Sequence, residues 1–302
     1  MSNLFSGKTS IRAVLLEGLH HGAGSSGNTA RMRTQEIVRD GKLYKTPFLS
    51  ANSFKHFIRS HGASYAINAM NLERNSLPKG VIDLLFSGGA LTKSGSKTDL
   101  YASRKLDETF PLLAVCGYSA GNSMVESKIS IRNFHLVCEE NAWRLPQRFK
   151  SLQEAGVRAS VFKGEEFGTR HDTHGKHAAR NLMDIQPETI VESVQMIYDF
   201  QIIKPGATLF SSFTYRDLSE METAALYSAF HHACEGQTDD GGLLINIAAK
   251  NSLGFGQTAM YMQNEMADAP CLVNRGRDLL DKYYDYLVSN KIEIVETLKA
   301  AV

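Results

Sequence analysis

The chain has 302 residues, of which 43% are hydrophobic and 22% charged, ordinary values for a globular protein with a substantial core. No apolar run of about 18 residues could span a membrane, and the N-terminus lacks an apolar stretch of signal-peptide length. Four scattered cysteines have no zinc-knuckle spacing and argue against a disulfide framework. We therefore expect a cytoplasmic protein with reduced thiols and no membrane partner.

The net charge of +1 hides an uneven distribution along the chain. Residues 31–61 carry seven Lys or Arg against two acids, and residues 184–242 carry ten acids against two Lys or Arg. This polarity indicates one surface for a polyanion and another for a basic partner such as a neighbouring copy of the chain.

The first half of the sequence predicts one strand and one helix. Alternating apolar residues indicate a strand over residues 9–19, which runs into a Gly- and Ser-rich loop at residues 20–28. After Pro47, Ser50 or Asn52 is suited to cap a helix, with Gly62 as a weak point near its middle. An apolar segment at 81–86 is followed by irregular sequence to about residue 110.

The second half predicts a strand over 124–137, an aperiodic insert at 139–185 and a long β-rich segment at 190–215 with a turn at Pro205 and Gly206. A helix over 218–234, strands at 243–248 and 257–262, and a helix from about Arg275 complete the chain. Without the insertions, the order is strand, helix, strand, strand, helix, strand. This is the α+β, ferredoxin-like order of RNA-recognition domains.

Three segments combine backbone amides, hydroxyls and cations, which together suit a phosphate. They are the loop at 20–28, the predicted helix start at 46–59 and the glycine loop at 250–257. With the adjacent basic residues they supply these candidate RNA contacts: His20, His21, Ser25, Ser26, Asn28, Arg31, Arg33, Ser50, Asn52, Ser53, Lys55, His56, Arg59, Lys250, Gly254, Phe255, Gly256 and Gln257.

The same segments carry a family resemblance. PFLSANSFKHFIR at 47–59 resembles the strand-end and helix-start motif of the RAMP superfamily, and NSLGFGQ at 251–257 resembles its C-terminal glycine-rich loop. LFSGGAL at 85–91 and GGLL at 241–244 are further similar to the large backbone subunit of CRISPR effector complexes, nearest to type IV.

This resemblance implies a modified RNA-recognition palm with an inserted thumb and a helical insertion. The corresponding division is 1–70 and 125–138 as palm, 71–124 as insertion, 139–185 as thumb, and 186–302 as the rest of the palm with a C-terminal helix. The thumb would contribute further RNA contacts, and the insertion one more: Phe162, Lys163, Phe167, Arg170, His171, Met183, and Lys93.

The implied function is that of a backbone subunit without a cofactor, which coats CRISPR guide RNA irrespective of sequence and leaves the bases to pair with a target. Its partners would be guide RNA, complementary target nucleic acid, further copies of itself and other effector subunits. Related type III subunits cleave target RNA with an aspartate in the loop after the first strand. Residues 20–33 contain no Asp or Glu, so we expect binding without cleavage.

A serine esterase is the main alternative, because GYSAG at 117–121 has the G-x-S-x-G pattern that places Ser119 as nucleophile. The sequence after it predicts a strand where the elbow requires a helix, and no histidine follows His232. The spacing of His171, His174 and His177 permits a metal site, although no cysteine accompanies them. The segment at 87–94 lacks the glycine of a P-loop before Lys93.

Overall fold

A computed structural model describes residues 4–73, 75–90, 100–121, 123–170, 196–265 and 272–302. Its strands are β1 (Phe5–Leu15), β2 (Gly22–Ser26), β3 (Thr29–Met32), β4 (Thr34–Arg39), β5 (Lys42–Leu49), β6 (Tyr118–Ala120), β7 (Ser123–Val125), β8 (Ile129–Ile131), β9 (Phe134–Leu136), β10 (Lys163–Arg170), β11 (Met196–Ile203), β12 (Thr208–Leu218), β13 (Cys234–Gln237), β14 (Leu243–Asn246) and β15 (Gln257–Asn264).

The helices are α1 (Ala51–Ala69), α2 (Lys79–Ser87), α3 (Leu100–Thr109), α4 (Pro111–Cys116), α5 (Gln147–Lys150), α6 (Glu220–Ala233), α7 (Leu272–Asp278), α8 (Leu280–Ser289) and α9 (Lys291–Ala300). Short 3-10 turns lie at Glu139–Arg144, Gln153–Gly156, Ala159–Phe162 and Asn251–Leu253. In the part of the chain described, no helix is both long and apolar enough to cross a membrane.

The main sheet has the strand order β13-β14-β15-β1-β12-β9-β5-β4, with β8 also paired to β12. Its centre, β15-β1-β12-β9, is antiparallel throughout. Together with α1 and α6 these four strands give the strand, helix, strand, strand, helix, strand order of a ferredoxin-like fold. The predicted α+β fold is therefore confirmed.

Residue alternation along β1 decides which face of the sheet is covered. Ile11, Ala13 and Leu15 are buried in the main core, against α1 and α6. The helices begin at sequence-encoded caps: Ser50 for α1, and a Ser219–Glu222 capping box for α6. Gly62 lies inside α1 without interrupting it, and Leu112 of α4 packs where a β-carbon on Gly62 would stand.

The predicted single strand over 124–137 is wrong, because it consists of the end of β7 followed by β8 and β9. The predicted irregular loop at 20–28 is also wrong in part. Its residues 22–26 form β2, which pairs with β3 in a second sheet of order β10-β11-β3-β2. Within that sheet β10 and β11 form an antiparallel hairpin.

Residues 139–162, predicted as the first part of a thumb, lie against the sheet face opposite α1 and α6. Their side chains form a small buried apolar cluster with the sheet, made of Val137, Leu145, Phe149, Ala155 and Phe210. The sequence of this segment shows no period because it forms short turns. Each turn places a single apolar side chain on the sheet, so no continuous apolar stripe of a helix is needed. The β10–β11 hairpin begins only at Lys163.

Candidate nucleic-acid interface

Two adjacent histidines join the three sequence segments predicted to bind RNA. His20 Nδ1 donates to the carbonyl oxygen of Gln201 at 2.8 Å, and its own carbonyl accepts from Ala249 N at 3.2 Å. His21 Nε2 accepts from Ser50 N at 3.3 Å. The first loop therefore contacts Ala249, which immediately precedes the glycine loop, and the start of α1. Both histidines are buried, so they organise the loops and are not the exposed RNA contacts that were predicted.

His21 is held in its neutral form. Burial lowers its pKa to about 4, and the positive charge of Arg33 and the neighbouring His20 act in the same direction. A neutral Nε2 is required here, because it accepts a hydrogen bond from a backbone amide.

Three of the first four amides of α1 are already occupied within the chain. Ala51 N donates to Asn133 Oδ1 at 2.8 Å, and Ser53 N donates to Ser50 Oγ at 3.2 Å. Phe54 N donates to the Ser50 carbonyl at 3.2 Å. The predicted cradle of free amides is therefore wrong, and Ser50 and Ser53 are capping residues. The side chains available at this helix start are those of Asn52, Lys55 and His56.

The glycine loop is shaped by two left-handed glycines that stand in different surroundings. Gly256 has φ +87° and is buried, and a β-carbon there would stand 2.0 Å from the Ile247 carbonyl oxygen. Its amide donates to the Gly18 carbonyl at 2.9 Å, while the Gln257 carbonyl accepts from Leu16 N at 2.9 Å. Gly254, with φ +88°, faces open space. The loop is thus fixed to the end of β1 by its backbone.

An aromatic cluster beside this loop was not found from the sequence. The ring of Phe200 lies 5.6 Å from that of Phe255 and 5.1 Å from that of Tyr198. Lys250 Nζ stands 4.1 Å from the Phe200 ring centroid, a cation–π contact. Alternation of apolar residues along β11 was an available signal, but β11 reaches the loops through its pairing with β3 and through contacts with Leu19 and His20, all distant in sequence.

Several exposed polar side chains surround the joined loops. Ser25, Ser26 and Asn28 are exposed at β2 and its turn, and Arg31 and Arg33 are exposed on and after β3. An open groove of about 350 Å³ runs beside the start of α1 and is lined by Asn52, Lys55, Glu126 and Ser130 among others. Within the described residues, the side chains of Arg31, Arg33 and Lys55 form no hydrogen bond or ion pair that would neutralise them.

Arg59 is buried and is not the phosphate contact that the sequence predicted. Its Nη2 donates to the carbonyl oxygens of Cys116 and Gly117 at 3.0 and 2.9 Å. A β-carbon on Gly88 would overlap its Nη1. The arginine ties α1 to the end of α4, so its charge serves the fold.

The β10–β11 hairpin presents one of its predicted wedge residues. Phe167 is 76% exposed, whereas Phe162 packs against the main core and Lys163 Nζ donates to the Lys45 carbonyl at 3.0 Å. Arg170 ends β10. Lys93, His171 and Met183, and the histidine series to which His171 belongs, lie outside the described residues.

Folding brings acids to a loop whose own sequence has none. Thr29 Oγ1 donates to Asp199 Oδ1 at 2.7 Å, and Glu166 Oε1 stands 3.0 Å from the place of a β-carbon on Gly18. Both acids come from the β10–β11 hairpin. Glu36 and Asp40, the acids just after the loop in sequence, instead form ion pairs with Lys45 and Arg39 in the β4–β5 hairpin.

Two acids of segment 184–242 are neutralised within its described part. Glu222 pairs with Lys128, and Glu220 pairs with Arg275 and Lys282. Four further acids accept hydrogen bonds from uncharged donors and therefore keep their negative charge: Asp199, Asp217, Glu235 and Asp240. The surface expected for a basic neighbour is thus reduced in these residues but not removed.

Ser119 does not stand on a nucleophile elbow. It lies in the short β6–β7 hairpin, where its amide donates to the Gly88 carbonyl at 2.8 Å, and no helix follows it. His231 packs its ring near Tyr65 and Tyr227. The geometry of an esterase is absent from the residues described.

No family model matches the chain, and no curated protein matches it. Among solved structures, a chain of the Type IV-B CRISPR Complex is similar with a TM-score of 0.56 and 14% identity, over 88% of this chain and 96% of that one. Csc2 of Thermofilum pendens aligns with a TM-score of 0.38 and 10% identity, over 100% of this chain and 82% of that one. The predicted resemblance to a CRISPR complex subunit near type IV is therefore confirmed at the level of the fold.

Proposed function

We propose that this chain is a non-catalytic backbone subunit that binds the sugar-phosphate backbone of CRISPR guide RNA and oligomerises along it. The observation that carries the proposal is the set of unneutralised cations, Arg31, Arg33 and Lys55, around three loops joined through His20 and His21. Cations without acid partners at a surface are suited to phosphates. The fold shared with a chain of a Type IV-B CRISPR Complex supports the same role.

The contacts available at this surface explain why binding would not depend on sequence. Arginine and lysine side chains bind phosphates, and the hydroxyl and amide groups of Ser25, Ser26 and Asn28 suit backbone oxygens. The exposed ring of Phe167 is suited to stand between bases at the hairpin. Bases that the protein does not read stay available to pair with a complementary target.

Oligomerisation of the chain along the guide RNA requires contacts between copies and with other subunits of the complex. A contact between two different surfaces of successive copies does not close and therefore gives an open filament. In this role the chain needs no cofactor, because guide and target recognise each other by pairing.

Co-expression with a CRISPR guide transcript tests the proposal. The purified protein should carry RNA of uniform length and form filaments visible by negative-stain electron microscopy. A variant with Arg31→Ala, Arg33→Ala and Lys55→Ala should lose the RNA. A matched variant with Arg216→Ala, Arg277→Ala and Lys299→Ala removes three other exposed cations and should keep it. Equal RNA loss in both variants, or RNA-free protein in the wild type, would contradict the proposal.

A further inference from the structure

A second polar site lies on the sheet face opposite α1 and α6. It is a cavity of about 450 Å³ whose floor is formed by Ser10 and Arg12 of β1 and by Tyr261 and Gln263 of β15. Arg148 and Phe149 of α5 form a wall. Because Ile11 and Ala13 face the core, the side chains between them point to this other face. The cavity has the size of small-ligand sites.

Among the described residues, the Arg12 guanidinium that lines this cavity forms no ion pair. The guanidinium carbon of Arg12 lies 4.2 Å from the Tyr261 ring centroid, and within the described residues this guanidinium has no ion pair within 4 Å. Hydrogen bonds from Thr238 and Tyr261, and the positive charge of Arg12, lower the pKa of the nearby Asp240, whose oxygens accept from groups other than Arg12. Asp240 accepts from Tyr261 Oη at 2.8 Å and from Thr238 Oγ1 at 2.6 Å. The planar donor fork of Arg12 therefore lies over the Tyr261 ring and donates to no acceptor among the described residues.

The wall of the cavity is held to the sheet by side-chain contacts. Arg148 Nη1 donates to Gln263 Oε1 at 2.7 Å, its Nη2 contacts Ser10 Oγ, and Glu265 Oε1 lies 3.6 Å away. The ring of Phe149 lies 4.6 Å from that of Phe210, tilted by 50°, so α5 covers the middle of this sheet face. What remains open, between α5 and the loop that contains Gly241, is room for one small ligand.

We propose that this cavity binds a nucleotide, with the phosphate on Arg12 and the base beside Tyr261 and Phe149. A guanidinium fork matches phosphate oxygens, and aromatic rings on this face of the sheet are where RNA-recognition domains stack bases. Here Phe149 covers one such ring, Phe210, which leaves room for a single nucleotide and not for a strand. The cavity is separate from the loop surface and stands independently of the proposed guide binding.

Calorimetric titration of the full chain with AMP, UMP, inorganic phosphate and adenosine tests the assignment. AMP or UMP should bind at least tenfold more tightly than phosphate or adenosine, because only the nucleotides carry both groups. Arg12→Ala should weaken nucleotide binding at least tenfold. Arg12→Lys keeps the charge but loses the fork, so it should bind with intermediate affinity.

Two controls keep the result interpretable. Lys299→Ala removes a remote exposed cation, and the Arg31, Arg33 and Lys55 triple alanine variant removes the loop cations; both should bind AMP like the wild type. Melting temperatures without ligand show whether the Arg12 variants are folded. Equal affinity for AMP and phosphate, or undiminished binding by both Arg12 variants, would overturn the assignment. Loss of nucleotide binding in the loop variant would place the ligand at the loops instead.

Discussion

Arg59 and Arg33 lie in the same basic stretch, but the fold gives them different environments. Arg33 is exposed and unneutralised, whereas the Arg59 guanidinium donates to two carbonyl oxygens in the interior. Sequence composition cannot distinguish the two, because the carbonyl groups that Arg59 binds come from the end of α4, almost sixty residues away. Burial therefore decides which charge is available to a ligand.

We expect Arg59→Ala to lower the free energy of unfolding by about 2–4 kcal/mol, because two charge-assisted hydrogen bonds are lost. Gly88→Ala should have an effect in the same direction, since its β-carbon would displace Arg59 Nη1. Arg33→Ala should leave stability unchanged and weaken RNA binding. Urea unfolding and RNA titration measure both properties; a stable Arg59→Ala protein with weakened RNA binding would contradict this division.

The lowered pKa of His21 makes stability depend on pH. The unfolded chain binds a proton near pH 6.5 and the folded chain only near pH 4, so the contribution of His21 is present at neutral pH and is lost as the pH falls from about 6.5 to 4. His21→Gln should reduce the loss of stability between pH 7.5 and 5 by about 1–2 kcal/mol.

Part of that loss should remain in His21→Gln, because burial also lowers the pKa of His135 to about 4. Ser50→Ala is the control. It removes the helix cap and should cost about 1 kcal/mol at either pH without changing the pH dependence. Urea unfolding at the two pH values gives the comparison. A His21→Gln protein that loses as much stability between pH 7.5 and 5 as the wild type would refute the role of His21.

Among the structural elements, the glycine loop offers a matched pair of substitutions. Gly256→Ala combines a positive φ with overlap on the Ile247 carbonyl, so we expect a loss of about 2–4 kcal/mol and a displaced loop. Gly254→Ala carries the backbone strain alone, and about 1–2 kcal/mol is expected. Chemical unfolding of the two variants measures the difference; equal losses would show that the close approach at Gly256 is not required.

The central elements could be predicted because each carries a strong local signal. Alternation indicated β1, a capping residue at Ser50 or Asn52 indicated α1, and an amphipathic pattern over 218–234 indicated α6. The β2 and β3 strands were missed because they are short and polar, and their partner β11 is distant in sequence. Segment 139–162 showed no period because it covers Phe210 with isolated side chains from successive turns.

The site was predicted only in outline, because its local signals are visible in the sequence and its long-range contacts are not. Its three loops carried visible glycines, hydroxyls and cations, and the fold joins them. His21 accepts from the amide of Ser50 and Asn133 from that of Ala51, and both side chains are distant in sequence from the helix start. Tyr198, Phe200 and Asp199 reach the loops through strand pairing that a linear pattern does not reveal.

At the scale of the whole molecule, the proposed RNA contact is electrostatic and should depend on salt. If Arg31, Arg33 and Lys55 each neutralise one phosphate, the logarithm of affinity for single-stranded RNA should fall with the logarithm of salt concentration with a slope of about −2 from these residues, at about −0.7 per contact. Each single alanine substitution should reduce the slope by about 0.7 and weaken unrelated sequences alike. Filter binding at several salt concentrations measures this; an unchanged slope in all three variants would exclude these contacts.

The last prediction concerns cleavage, which we expect not to occur even though the fold brings acids to the loops. Asp199 accepts from Thr29 Oγ1. Glu166 pairs with Phe200, the neighbour of Asp199 in β11, so the two carboxylates project from opposite faces of the paired strands. In the described residues, no group of three or more His, Cys, Asp or Glu side chains is placed to hold a metal. A positioned metal or base is what in-line cleavage of RNA requires.

The assay assembles protein, guide RNA and complementary labelled RNA, and incubates them with magnesium or manganese. An intact target is the expected result, with unchanged binding by Asp199→Asn and Glu166→Gln, which keep the shape of each side chain. A nuclease added as a positive control shows that the target is cleavable. Glu36→Gln is the control, because the Glu36 carboxylate is paired with Lys45. Cuts at regular spacing that disappear in Asp199→Asn but persist in Glu36→Gln would make the chain a nuclease and identify Asp199 as its acid.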